Sequence, residues 1–319
     1  VLESADPNWR SILQQECEDF FLSDRENAVA EKWNDWRKIA LTKAIENMLL
    51  PAMQHELRAE LEFDARERLC DSYRQRFTKR IMRGPYSHRG AGLPELVNDD
   101  EYDRGIKVLA CVWDRDMKVN KDPTPVTCVL LSREGEHRET LELPFMQLSD
   151  FDRRKQDSCK LLTEFVKRHK PDVVCVGTNG RTSESLYQIV DMVVKNVHEI
   201  RMAPPVFIDD APARIYQQSK RAVEELPDQN TLVKLAISVG RLAHDPLGEM
   251  ANLLCDPKDF EQLVVHPLQD MLDISERMKI ADECMVDAVN AFGVDINVAC
   301  RNKHSSALLR YVSGLGPRK

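Results

Sequence analysis

The chain has 319 residues, 42% of them hydrophobic and 31% charged, with a formal net charge of -8. That length suits two or three units with genuine cores. The negative balance excludes a protein whose whole surface grips nucleic acid, while leaving room for a local basic face.

In chain order, the first hundred residues read as helical. After Asp24, a candidate N-cap, "RENAVAEKWNDWRKIALTKAIENMLL" repeats apolar residues at helical spacing through Val29, Trp33, Trp36, Ala40, Ala44 and Met48. Pro51 opens a second helix with a stripe through Leu57, Leu61, Ala65, Leu69, Tyr73 and Phe77. The expectation is two long amphipathic helices packed together, with solvated outer faces. From Ser72 to Gly90 the sequence holds Arg74, Arg76, Lys79, Arg80, Arg83 and Arg89 and no acid. Such a run offers phosphate contacts, of which Arg74, Lys79 and Arg80 are the candidates; it equally suits a helix end that complements the macrodipole. "RGPYSHRGAGLPELVNDDEYDRG" has four Gly, two Pro and no periodicity, and marks the first boundary.

The pattern then changes to strands: Ile106–Trp113, Pro125–Leu131 and Glu139–Leu143, the last two joined by a turn at "EGEHR". A helix with Leu161, Leu162, Phe165 and Val166 on one face follows, then the apolar strand "PDVVCVG". A regular helix through Leu186, Ile189, Val190, Val193, Val194 and Val197 leads to a fifth strand, "PPVFIDD". Hairpin-linked strands followed by alternating helix and strand make a mixed α/β sheet. From Asn230 the chain returns to helix; Asp245 caps and Pro246 opens a new turn, and Gly293 ends a later helix. No apolar run approaches the ~20 residues of a membrane span, and no signal-peptide pattern opens the chain. Without an initiator Met, it reads as a piece of something larger.

Nine cysteines without a CxxC pair give no zinc module and indicate a reducing compartment. There is no GxSxG elbow, HExxH spacing, Walker sequence or cofactor fingerprint, so no cofactor is expected. An enzymatic reading rests on acids at strand ends. In a ribonuclease-H-like core, a first-strand Asp, an acid after the fourth strand and a third near the last strand hold two metal ions. Several oxygens must converge on one point. Here Asp114 and Asp116 lie beyond the first strand, "GTNGRTSES" follows the fourth, and only the fifth ends in acids, Asp209 and Asp210. Thr182 or Ser183 in that Gly-bearing loop reads as a helix cap. At the C-terminus, "SGLGPRK" has the Gly-x-Gly form that offers backbone N–H groups to a phosphate, with Gly314, Gly316, Arg318 and Lys319 as candidates.

"KVLACVWD", "PDVVCVGTNGRTSES", "ISVGRLAHDPLGEM", "HPLQ", "AFGVDINVA" and "YVSGLGPRK", in this order, resemble the central core of a eukaryotic transcription elongation factor and histone chaperone family, suppressor of Ty six, with a bacterial relative, Tex. The resemblance implies a helix-turn-helix-like segment with a linker (1–103), a ribonuclease-H-like mixed sheet of the YqgF type (104–222), and helices leading into a truncated helix-hairpin-helix (223–319). It also implies a nuclear scaffold partnered by the RNA polymerase II elongation complex, by histones or nucleosomes through other parts of the full protein, and by DNA or RNA. The first-strand Asp of YqgF-type sequences falls here at about Val112, beside Cys111 and Trp113, which favours a non-catalytic role. The competing reading is a divergent metal-dependent nuclease using Asp114, Asp209 and Asp210.

Overall fold

A computed structural model describes residues 8–83, 86, 106–114, 125–178, 182–197 and 203–315. The chain divides into two units, Val1–Leu69 and Cys70–Lys319.

In the first unit, α1 (Trp9–Phe21) turns into α2 (Ala28–Ala44). The turn is held by Asn34, whose side-chain amide accepts from the Ser23 N–H and donates to the Ser23 carbonyl, both at 2.9 Å. The N-cap is Asn27 rather than Asp24: Asn27 is extended, and its side-chain oxygen accepts the Ala30 N–H at 2.7 Å. Nor does Pro51 begin a separate helix. A π-helical turn, Ile45–Leu49, joins α2 directly to α3 (Leu50–Ile81), with the Leu50 N–H bonded to the Ile45 carbonyl. A proline cannot donate and crowds the carbonyl four residues back, so the wider turn just ahead of Pro51 lets helical bonding continue. The expected pair of helices packed on each other is therefore one uninterrupted helix, and its early stripe is not buried. Trp33 is 62% exposed, Trp36 68% and Met48 72%.

In the second unit, the end of α3 buries Tyr73, Phe77 and Ile81. Phe77 stacks on Tyr73 and meets Phe260 edge-on. The sheet contains β1 (Val108–Val112), β2 (Val126–Leu131), β3 (His137–Leu143), β4 (Val173–Gly177) and β5 (Val206–Ile208), in the order β3-β2-β1-β4-β5. β1 pairs antiparallel with β2 and parallel with β4, and β4 pairs parallel with β5. This is the mixed, ribonuclease-H-like sheet expected from the strand order. The turn between β2 and β3 needs Gly135, whose φ is 78° and whose added Cβ would lie 2.8 Å from the His304 ring.

Both faces of the central strands are covered. Leu109, Cys111 and Trp113 pack beneath α4 (Arg153–His169) and α5 (Ser183–Asn196), which contribute Leu162, Phe165, Val190 and Val193. Leu161, expected on that face, is 49% exposed instead; the inward arc of α4 runs through Ser158, Leu162, Phe165 and Val166. Val108, Ala110 and Val112 face α8 (Thr231–His244), in which every residue from Leu232 to Ala243 is buried. Between them the chain forms α6 (Ala211–Tyr216) and α7 (Lys220–Glu225). α8 lies beyond residue 222, where the sequence places the start of the last segment, and forms one layer of the sheet. It approaches closely because Gly240 has no side chain: a Cβ there would lie 2.5 Å from Leu131 and 3.3 Å from Ala110. A slip of one residue in β1 would exchange the two cores, so register is firmly set.

After α8, Asp245 caps α9 (Pro246–Leu253) through the Gly248 N–H, as expected. α10 (Pro257–Glu261), α11 (Ile274–Phe292) and α12 (Ile296–Arg301) follow, then a 3-10 helix at Ser306–Tyr311. α11 buries Ala281, Cys284, Met285, Ala288 and Val289 and stops at Gly293 with φ 77°.

Candidate functional site

The parallel strands β1, β4 and β5 end side by side, which brings Asp114 near Asp210 although the two are far apart in sequence. Both are buried, Asp114 at 8% exposure and Asp210 at 1%. Between them lies a guanidinium. Arg214 stands one turn beyond Asp210 on α6; its Nη1 donates to Asp114 Oδ2 at 2.9 Å and its Nε to Asp210 Oδ2 at 3.1 Å. The planar fork of arginine suits such a double contact. Asp209 turns the other way: its Oδ2 accepts from Arg80 Nη2 at 2.7 Å and Nε at 2.9 Å, and its Oδ1 accepts the Ala211 N–H at 3.2 Å.

Just after β4, where a ribonuclease-H-like core would carry a metal-binding acid, stands the exposed Thr178; Asn179 lies outside the described residues, and Gly177, the last residue of β4, is tightly packed. A Cβ on Gly177 would lie 2.8 Å from Asp210 Oδ2, so the Asp210 carboxylate itself fills the space. Thr182 occupies the N-cap position of α5 but makes no side-chain capping bond. Its hydroxyl donates instead to the Trp113 carbonyl at 2.7 Å, tying the start of α5 to the end of β1. Metal binding needs carboxylate oxygens converging on one point; here the convergent oxygens are turned onto arginine. Among the described residues no group of three or more His, Cys, Asp or Glu could hold a metal ion. Asp116 lies outside the described residues.

A second ionic cluster lies behind α8, and sequence reasoning missed it. Arg241 Nη1 donates to Glu225 Oε2 at 2.9 Å, and Arg221 Nε donates to Glu225 Oε1 at 2.8 Å. Arg221 also reaches Glu249 at 3.3 Å, while Ser238 donates to Glu249 at 2.9 Å and Tyr216 to Glu225 at 2.8 Å. Burial opposes ionisation of Glu225, but Arg221 and Arg241 overcome it and hold its pKa down to about 2. Nearby His304 is pushed the other way for an imidazole: burial, reinforced by Arg241, lowers its pKa to about 4. Its Nε2 has no hydrogen-bond partner among the described residues. The available signal was the "RLAHDP" motif, in which Arg241 ties to α7 and Asp245 caps α9 and accepts from Ser305 at 2.8 Å.

The nucleic-acid candidates are divided by the structure. Arg74 is held by Glu283 at 2.6 Å, and Arg80 by Asp209 and the Val264 carbonyl, so neither projects unpaired. Lys79 is exposed, as are Arg76 and Arg83. Gly314 is exposed with φ 86°, in a turn after the 3-10 helix. Gly316, Arg318 and Lys319 lie outside the described residues.

Residues 103–254 match the YqgF family described as Holliday-junction resolvase-like of SPT6, and residues 258–319 match a helix-hairpin-helix motif family. The transcription elongation factor SPT6-like protein of Arabidopsis thaliana is 32% identical over 98% of this chain and 24% of its own length. The Drosophila melanogaster transcription elongation factor SPT6 is 27% identical over 91% of this chain and 16% of its own. The Caenorhabditis elegans suppressor of Ty 6 homolog is 27% identical over 99% of this chain and 21% of its own. The chain thus spans about a quarter or less of these relatives. With a ribonuclease-H-like sheet in the matched YqgF region and a helix-hairpin-helix match directly after it, the chain resembles one part of these SPT6 proteins along nearly all of its own length.

Proposed function

We propose that the chain is the non-catalytic scaffold core of a nuclear transcription elongation factor and histone chaperone that acts with RNA polymerase II on chromatin. The observation that supports this most directly is Arg214 seated between Asp114 and Asp210. A guanidinium shared by the two carboxylates competes for the oxygens that a pair of divalent ions would require. The YqgF sheet then works as a packed platform. Along the chain it follows the helical segment (1–103) and precedes the helix-hairpin-helix segment, with α8 included in the platform although it lies beyond residue 222. Nucleic-acid contacts on this reading fall to Lys79 and to Gly314, Gly316, Arg318 and Lys319, and histones engage mainly through parts of the full protein outside this chain.

The decisive experiment incubates the chain with Mg²⁺ or Mn²⁺ and four-way-junction DNA or structured RNA. Intact substrate is expected. Metal-dependent cleavage that disappears in an Asp209→Asn/Asp210→Asn variant would overturn the proposal. Retention of purified RNA polymerase II on the immobilised chain is the companion measurement, and its loss in a Lys79→Glu variant would locate the contact.

A further inference from the structure

A cavity of about 230 Å³ lies beside β5. Val206 and Ile208 form one wall and Leu242 and Met250 another, while Ile81, at the end of α3, and Arg83, two residues past it, stand at its rim. Tyr86 also lines it, placed by its N–H bond to the Ala243 carbonyl at 3.0 Å. The space is largely apolar and accommodates one side chain of Leu or Phe size.

The strand beside it has an open edge. β5 is the last strand of the sheet, and no strand among the described residues pairs with its outer side. The Thr178 N–H donates to the Ile208 carbonyl, so Val206 and Ile208 direct their backbone groups toward β4. Backbone groups alternate along a strand, and the N–H and C=O of Phe207 therefore point outward. Its ring stacks on Tyr187 at 4.5 Å, on the face opposite the cavity. An exposed edge is a template for pairing with an extended segment, and adjacent pockets select its side chains.

The charge at the rim specifies the segment further. Arg80 is neutralised by Asp209, but Arg83, two residues past the end of α3, is exposed and lines the cavity with no carboxylate partner among the described residues; exposed Lys79 lies four residues before it, near the end of α3. No acid occurs from Ser72 to Gly90.

We propose that this face binds an extended acidic peptide. Its backbone pairs with β5 at Phe207, one aliphatic or aromatic side chain enters the cavity, and carboxylates two residues to either side meet Lys79 and Arg83. A phosphate backbone would use the cations alone and would leave the pocket and strand edge unused. The proposal does not rest on the absence of catalysis.

The test uses the whole chain and the fluorescein-labelled heptapeptide Glu-Asp-Val-Phe-Val-Asp-Glu. Saturable binding is expected, with affinity falling by about tenfold or more for Phe→Ser in the peptide, for backbone N-methylation, and for Val206→Phe or Arg83→Glu in the protein. Chain carrying ¹⁵N-Phe supplies a readout that needs no variant: of its 10 phenylalanine amides, that of Phe207 is expected to shift and to exchange more slowly with solvent. An unmoved Phe207 amide at a peptide concentration of about 1 mM overturns the proposal. So does binding of single-stranded RNA that requires Lys79 and Arg83, ignores Val206→Phe and is not matched by any peptide binding.

Discussion

The second unit contains two networks of arginines and carboxylates, and they are built differently. Behind α8, Arg221 and Arg241 meet Glu225 and Glu249, so charges balance and Ser238 and Tyr216 satisfy remaining acceptors. At the sheet's carboxyl edge a single Arg214, 29% exposed at its side chain, serves both Asp114 and Asp210. The first network is closed and locks α7, α8 and α9 together. The second is an acidic corner in which, among the described residues, Arg214 is the cation shared by the two carboxylates. Buried ion pairs are weak evidence for net stabilisation, yet removing one partner is costly because the other charge is stranded. The two sites should therefore differ most when an arginine is deleted.

The largest effect is expected for Arg241→Ala, which leaves Glu225 and Glu249 short of a cation; about 3–5 kcal/mol should be lost, measured by urea unfolding. Next comes acid sensitivity of the closed network. His304 has a folded pKa of about 4, below its unfolded value, so its protonation favours the unfolded chain. Stability is complete above the unfolded pKa of ~6.5 and falls as pH drops toward 4, by about 3 kcal/mol in total. Thermal unfolding of wild type and a His304→Gln variant from neutral to acid pH should show a flatter profile for the variant in that window. Glu225, with its pKa held at about 2, adds a separate loss only at lower pH.

Arg214→Ala should cost about 2 kcal/mol, less than Arg241→Ala because water reaches the corner. Adding Asp114→Asn should restore part of that loss, and a double-mutant cycle would then give a coupling that the closed network also shows. The smallest effect belongs to Arg74→Ala, which breaks an ion pair with both partners nearly half exposed. A change within about 0.5 kcal/mol is expected. A larger one would mean that α3 depends on Glu283 for its seat.

The two networks were also unequally legible in the sequence. Period-two alternation along "KVLACVW" puts Leu109, Cys111 and Trp113 on one face and Val108, Ala110 and Val112 on the other, as the structure has them. The Asp245–Pro246 start of α9 was equally plain, because capping is local chemistry. Arg214 sits four residues after Asp210, a spacing visible in sequence, but its second partner is 100 residues away, and only the sheet order brings Asp114 to it. Asn27, not Asp24, is the cap because the helix starts at Ala28, where an extended Asn27 accepts the Ala30 N–H. The π turn ahead of Pro51 was hidden for a related reason: a proline normally signals a break, and only the widened bonding shows that the helix survives it. Thr182 misled because a tertiary acceptor, the Trp113 carbonyl, outcompeted the local cap.

Gly177 is tightly packed against the acidic corner. Because Asp210 lies 2.8 Å from where its first side-chain carbon would be, no larger residue fits there until Asp210 and Arg214 have moved. A side chain at 177 would press on the Asp210 carboxylate. A substitution at 177 would therefore act on the acidic corner itself, through Asp210 and the Arg214 that Asp210 holds.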